Sequence, residues 1–251
     1  MKGYFWLPLF LFFCLSSGEG LASEDMPSIF QKANAEYRGA DYVQAGSLYE
    51  SLIAKGAKDA NVYYNLGNVY FKQNRTGVAV LNYERALRLH PRDRDIRANL
   101  AYVKGLLEYR IEDKRNWYLK TLENLLGIFT FEEMGIVSLT LGLSFWMSWL
   151  VILFLRPDGV WGWKIKTLMM IALMAFSLWL FKGVQAQTIQ EAVVLKSQAS
   201  VRYGPSYKDQ IAFKLGEGMK VRVKKTEGEW SRVILVNGET GWMAQEEIGV
   251  I

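Results

Sequence analysis

Cysteine and histidine are almost missing from this chain of 251 residues: there is one of each, Cys14 and His90. Cys14 falls in residues 1–22, which read as a secretory signal. Lys2 gives a short positive start, "YFWLPLFLFFCL" an apolar core, and Gly20 and Ala22 stand at the small positions before a cut at Ser23. The bulky Phe13 before Cys14 argues against a lipoprotein signal, and an uncleaved anchor is the other reading of the segment. Once the signal is cut, the mature chain has no cysteine, which removes disulfides, thiol catalysis and cysteine-ligated metal together. His90 precedes Pro91 at a helix end without a Ser or Cys partner. No Gly-rich phosphate loop appears, and no His or Cys cluster has metal spacing. Glu132 and Glu133 are adjacent and have no acid–base partner. The expectation is a protein that is not an enzyme, with no cofactor and no metal.

The net charge is +5, and five arginines fall between Arg85 and Arg97 among Glu84, Asp93 and Asp95. Nucleic-acid binding would need basic residues interleaved with stacking aromatics, and an exported chain seldom meets nucleic acid. This stretch reads as a solvated basic face, with an anionic lipid or an acidic partner as the alternative.

A period of 34 residues is present. Ala45 and Ala79, Tyr49 and Tyr83, and Ala33 and Gly67 are each separated by it. Residues 60–93 carry Tyr63, Leu66, Gly67, Tyr70, Ala79, Tyr83, Ala86 and Pro91 at fixed places, and the segment resembles the tetratricopeptide repeat closely. Two antiparallel helices joined by "QNRTG" need small residues at Gly67 and Ala79 to approach, and Pro91 ends the unit. Residues 26–59 form a weaker copy, with Lys32 and Glu36 where the second copy has Leu66 and Tyr70. One helix, "DIRANLAYVKGLLEY", follows. Two repeats plus a capping helix over 26–110 fall short of the roughly three usually needed. The array is expected to lean on a partner, a second copy or a membrane segment.

Asn34 and Asn68 are one period apart, as are Asn65 and Asn99. The resemblance implies that first helices line a concave groove. A side-chain amide offers one acceptor and one donor group, so these four can bond the backbone of an extended peptide. The set is similar to an asparagine ladder, with Tyr37, Arg38 and Tyr64 as neighbours; the competing reading is local capping. A carboxylate clamp is disfavoured, because its cation positions hold Phe30 and Asp95.

Two apolar runs follow. Residues 134–155 lack charge for 22 residues, and 167–181 for 15. About 20 apolar residues span a bilayer, so a two-helix transmembrane hairpin is expected over 134–155 and 165–184. Arg156, Lys164 and Lys166 place the loop 156–164 in the cytoplasm and both soluble domains in the periplasm. Residues 111–133 form an amphipathic linker helix, lying on the membrane or extending the solenoid.

Residues 190–251 alternate in short strands, with "VNGET" as a tight hairpin. Five strands, a small all-β barrel, are expected. "VRYGPS" at 201–206, then Leu215, Gly218, Val221, Trp230, Val233, Gly238, Gly241 and Trp242, resemble bacterial SH3 domains. Tyr203 and Tyr207 are expected at the surface. Trp230 and Trp242 read as barrel core or hairpin clamp, with ligand contact as the alternative, and Tyr203, Tyr207, Trp230 and Trp242 are the candidate ligand-binding residues of this domain. Such domains hold cell-wall material, here peptidoglycan, or a protein partner.

The fold class is thus a multi-domain membrane protein: an all-α repeat solenoid, a transmembrane hairpin and a small SH3-like barrel. That order of modules is similar to BatE-type proteins of bacterial aerotolerance operons. The resemblance implies a membrane-anchored scaffold acting with von Willebrand factor A-type membrane proteins and a MoxR-type ATPase. Peptidoglycan anchoring or envelope biogenesis through the SH3-like domain is the alternative.

Overall fold

The computed structural model describes residues 26–107, 116–155, 163–164, 166–168, 170–177, 179 and 190–251. The signal segment 1–22 and most of the loop 156–164 lie outside them. Five helices form the N-terminal part: α1 (Met26–Arg38), α2 (Tyr42–Ala54), α3 (Ala60–Lys72), α4 (Thr76–Leu89) and α5 (Arg94–Leu106). Asp41, Asp59 and Asp93 cap α2, α3 and α5 by accepting bonds from backbone N–H groups of the first turn.

The two repeats share their geometry as well as their spacing. Ala40 and Asn74, one period apart, both turn the chain with positive φ, 62° and 59°. Asp41 donates its N–H to Glu36 and Arg75 to Tyr70, so each first helix ends on the same pair of orphan carbonyls. Ala33, Ala45, Tyr49, Ala79, Tyr83 and Ala86 are all buried. Gly67 must be small: a Cβ there would stand 2.8 Å from the Tyr83 ring.

The C-terminal part is one antiparallel sheet: β1 (Gln190–Val194), β2 (Ala199–Arg202), β3 (Ile211–Leu215), β4 (Lys220–Glu227), β5 (Trp230–Ile234), β6 (Thr240–Ala244) and β7 (Ile248–Val250), ordered β3-β2-β6-β5-β4-β1-β7. Seven strands stand where five were expected. The additions are the two edges: β7 has three residues, and β3 alternates weakly around Lys214. The "VNGET" hairpin is formed, with Gly238 at φ 92°.

Support for the short solenoid comes from within the chain. Along β1 the side chains alternate: Ala192 and Val194 enter the sheet's core, while Val193 joins the helical core with Leu195 and Ile251. The barrel therefore sits on α4. Gly77 on α4 is needed for this approach, since a Cβ there would lie 2.9 Å from the Val194 carbonyl oxygen.

The transmembrane hairpin is not supported. Among the described residues no helix is long and apolar enough to cross a membrane. Helix α6 covers Trp117–Gly127, and the first uncharged run belongs to α7 (Phe131–Leu155). That helix opens on a capping box, in which Thr130 N–H donates to Glu133 and Glu133 N–H to the Thr130 hydroxyl. Glu133 also pairs with Arg92 of the repeat region. Ser138, Thr140, Gly142 and Ser144 make its first half less apolar than absence of charge alone suggested. The second run is described only in pieces, with Trp179 near Gly135.

Candidate functional site: the concave groove

The four asparagines occupy equivalent places and bond to one another. Tyr49 donates its hydroxyl to Asn34 Oδ1 at 2.6 Å, and Asn65 Nδ2 donates to the same oxygen at 3.1 Å. One period later, Tyr83 donates to Asn68 Oδ1 at 2.7 Å and Asn99 Nδ2 to it at 3.1 Å. Asn99 Nδ2 donates a second bond, to the Tyr64 hydroxyl at 2.9 Å.

This network fixes which way each amide points. The carbonyl oxygens of Asn34 and Asn68 each take two bonds, which leaves their NH₂ groups as donors. Asn99 has spent both amide hydrogens, which leaves its carbonyl oxygen; Asn65 keeps its carbonyl as well. All four residues are half-buried, and none of these remaining atoms is a buried group without a partner. They face the solvent side as alternating donors and acceptors.

A cavity of about 220 Å³ opens on this face. Asn68 and Asn99 line it with Tyr37 from α1, Phe71 and Lys72 from α3, Tyr83, and Tyr102 and Val103 from α5. Phe71 meets Tyr102 edge-on at 5.9 Å. Of the predicted groove residues, Asn68, Asn99 and Tyr37 share this cavity. Asn34, Asn65 and Tyr64 belong to the bonded network beside it, and Arg38 is exposed outside it. Phe71, Lys72 and Tyr102 were not foreseen. The repeat carried a signal for all three, because Phe71, Lys72 and Tyr102 stand one period after Tyr37, Arg38 and Asn68.

Burial raises the phenols beneath the groove. Tyr49 is pushed up to about 12, partly opposed by the Asn65 amide. Tyr83 is raised further, by burial and then by neighbouring Tyr64 and Tyr37. Both remain neutral donors, which is what holds the asparagines in place.

Behind the groove, Glu84 of α4 is buried between Lys104 of α5 at 2.5 Å and Lys220 of β4 at 3.4 Å. Lys220 also pairs with Glu191 of β1 at 2.8 Å. Burial alone would raise the Glu84 carboxyl, but Lys220 and Lys104 outweigh it and hold it below the ordinary range. Burial likewise works to lower Lys220, and Glu84 and Glu191 outweigh that and raise it. Arg85 donates to the Val250 carbonyl oxygen at 3.0 and 2.6 Å, so the β7 edge is also tied to α4.

On the barrel, Tyr203 and Tyr207 are exposed. Tyr207 stands edge-on to Trp230 at 4.8 Å, and Trp230 is buried, 9% exposed. Trp242 is half-buried on β6, where its register partners are Arg232 of β5 and Arg202 of β2. Of the four predicted ligand contacts, Tyr207 and Trp230 thus touch, while Tyr203 is an exposed ring on the strand end after Arg202.

Two segments match family models: residues 60–93 match the tetratricopeptide repeat and residues 196–249 the bacterial SH3 domain. No curated protein matches the chain. The two domains point to interactions with protein, or with peptidoglycan.

Proposed function

We propose that the chain is a non-catalytic scaffold whose groove holds an extended segment of a protein partner while its SH3-like barrel takes a second contact. The observation that carries this reading is the polarity of the ladder. An extended peptide offers one N–H and one C=O per residue, and the groove offers donors at Asn34 and Asn68 and acceptors at Asn65 and Asn99. Tyr37, Phe71 and Tyr102 supply apolar walls for a side chain. Recognition is then mostly of the main chain, which suits a scaffold.

The pairing of tetratricopeptide repeats with a C-terminal bacterial SH3 domain supports a finer assignment to a BatE-type role in an envelope stress or aerotolerance complex. The partners would be von Willebrand factor A-type membrane proteins and a MoxR-type ATPase. The export signal read in residues 1–22 places both domains in the periplasm, beside the inner membrane that holds such partners. The test is crosslinking and co-purification of the full-length chain from native cells, with wild type against Asn65→Ala/Asn99→Ala. Partner recovery should fall with the double variant while circular dichroism stays unchanged. Equal recovery discards the ladder.

A second reading has its own support. The exposed rings of Tyr203 and Tyr207 suit stacking on sugars, which favours peptidoglycan anchoring through the barrel. Retention of the full-length chain on purified sacculi, lost in Tyr203→Ala/Tyr207→Ala, would select it over the scaffold.

A further inference from the structure

Four side chains from four strands form a row across the sheet. Lys225 of β4 is the register partner of Arg232 of β5, Arg232 that of Trp242 of β6, and Trp242 that of Arg202 of β2. Direct partners on neighbouring antiparallel strands point to one face. That face is the outer one, because the adjacent residues Val201, Val233 and Met243 are buried in the sheet's core. Lys225 and Arg232 are exposed, and Trp242 and Arg202 half-buried.

Like charges placed opposite each other destabilise a sheet, so Lys225 beside Arg232 calls for a reason. Lys225 is met by Glu227. Arg232 has no ion pair among the described residues, and Arg202 donates only to the backbone oxygen of Asp209, at 2.6 Å. The Arg202 guanidinium lies 5.8 Å from the centre of the Tyr207 ring. An indole is therefore flanked by two cations that no carboxylate among the described residues neutralises.

We infer that the row Arg202, Trp242 and Arg232 docks an acidic segment of a protein partner. This deepens the scaffold reading and rests on its assignment of a protein to the barrel. Strands lie about 4.8 Å apart, so the two arginines stand roughly 10 Å apart. In an open extended chain of about three residues per turn and ~3.1 Å rise, carboxylates at i and i+3 share a face about 9 Å apart. Each guanidinium fork matches one carboxylate, and the indole between them covers an apolar residue.

The test is fluorescence anisotropy of the full chain with a dye-labelled decapeptide carrying Asp at i and i+3 around a leucine. Binding is expected, with a loss of about tenfold when both Asp are replaced by Asn, and a similar loss for Arg232→Gln and for Arg202→Gln. Arg232→Lys should fall between, since it keeps the charge without the fork. Arg232 is exposed, so its variants fold. No binding, or binding indifferent to both arginine variants, overturns the inference. So does binding abolished by Asn99→Ala, which would place the peptide in the groove and leave the scaffold reading standing. Preferential binding of an anionic glycan over the peptide overturns it as well.

Discussion

Lys220 of the sheet reaches Glu84 of helix α4 at 3.4 Å, across 136 residues of chain. The same carboxylate holds Lys104 of α5, a helix that lines the groove. One buried acid thus ties a groove wall to the barrel.

Replacing Glu84 by Gln should be costly. Only the carboxylate is buried; Lys104 and Lys220 are more than a third exposed and Lys220 keeps Glu191, so solvent screening brings the cost below that of a fully buried pair, to roughly 1–3 kcal/mol. Urea denaturation of Glu84→Gln against wild type measures it. A loss under 1 kcal/mol would mean that Glu84 is not the fastener.

The same group sets an acid limit. The folded Glu84 carboxyl lies below its ordinary value, so its stabilisation is present above the unfolded value and is lost as pH falls through the folded one. Lys220 is raised, so its share is full below the ordinary lysine value and is lost as pH rises past the folded one. Barrel docking is expected to hold throughout the neutral range and to open in strong acid before the helices melt. Tryptophan fluorescence and far-ultraviolet circular dichroism, followed together in acid titration, would separate by pH. Coincident curves would contradict this.

The buried phenols give an alkaline counterpart. Tyr49 ionises at about 12 when folded, against about 10 unfolded. Above the unfolded value the unfolded state loses a proton that the folded state keeps, so stability falls as pH rises from 10. Tyr49→Phe should cost about 1 kcal/mol at neutral pH and weaken this alkaline slope. An unchanged slope would show that Tyr49 is not shielded.

Ala40 holds a left-handed turn at φ 62° where the second repeat has Asn74. A non-glycine residue there costs about 1–2 kcal/mol. Ala40→Gly should stabilise by about 0.5–1 kcal/mol after its larger unfolded-state entropy is counted. Thermal melting tests it, and a lower Tm would refute the turn's strain.

Gly77→Ala should separate the modules without touching the groove. The added methyl would meet the Val194 carbonyl oxygen, and overpacking costs about 1–3 kcal/mol. Greater amide exchange in β1 and β7, with α1 and α3 unchanged, is the expected result. Uniform exchange would mean that the barrel does not depend on this contact.

The chain's periodicity determined its local architecture. Small residues at 33, 45, 67 and 79 leave room for only one helix pairing, and strand alternation after 190 requires a sheet, since both follow from side-chain size and spacing along a few turns. The amides were legible as groove residues because they recur every 34 positions. Their orientation was not, because it depends on tyrosines 15 residues away that take one lone pair. Tertiary structure alone decided where the barrel sits: Glu84 with Lys220, and Val193 facing away from its own sheet, join segments more than a hundred residues apart. The hairpin expectation failed for a related reason. Absence of charge along 134–155 is a local property, whereas spanning needs continuous length and apolarity in the folded helix, and Thr130 and Glu133 make its entry a polar turn tied to Arg92.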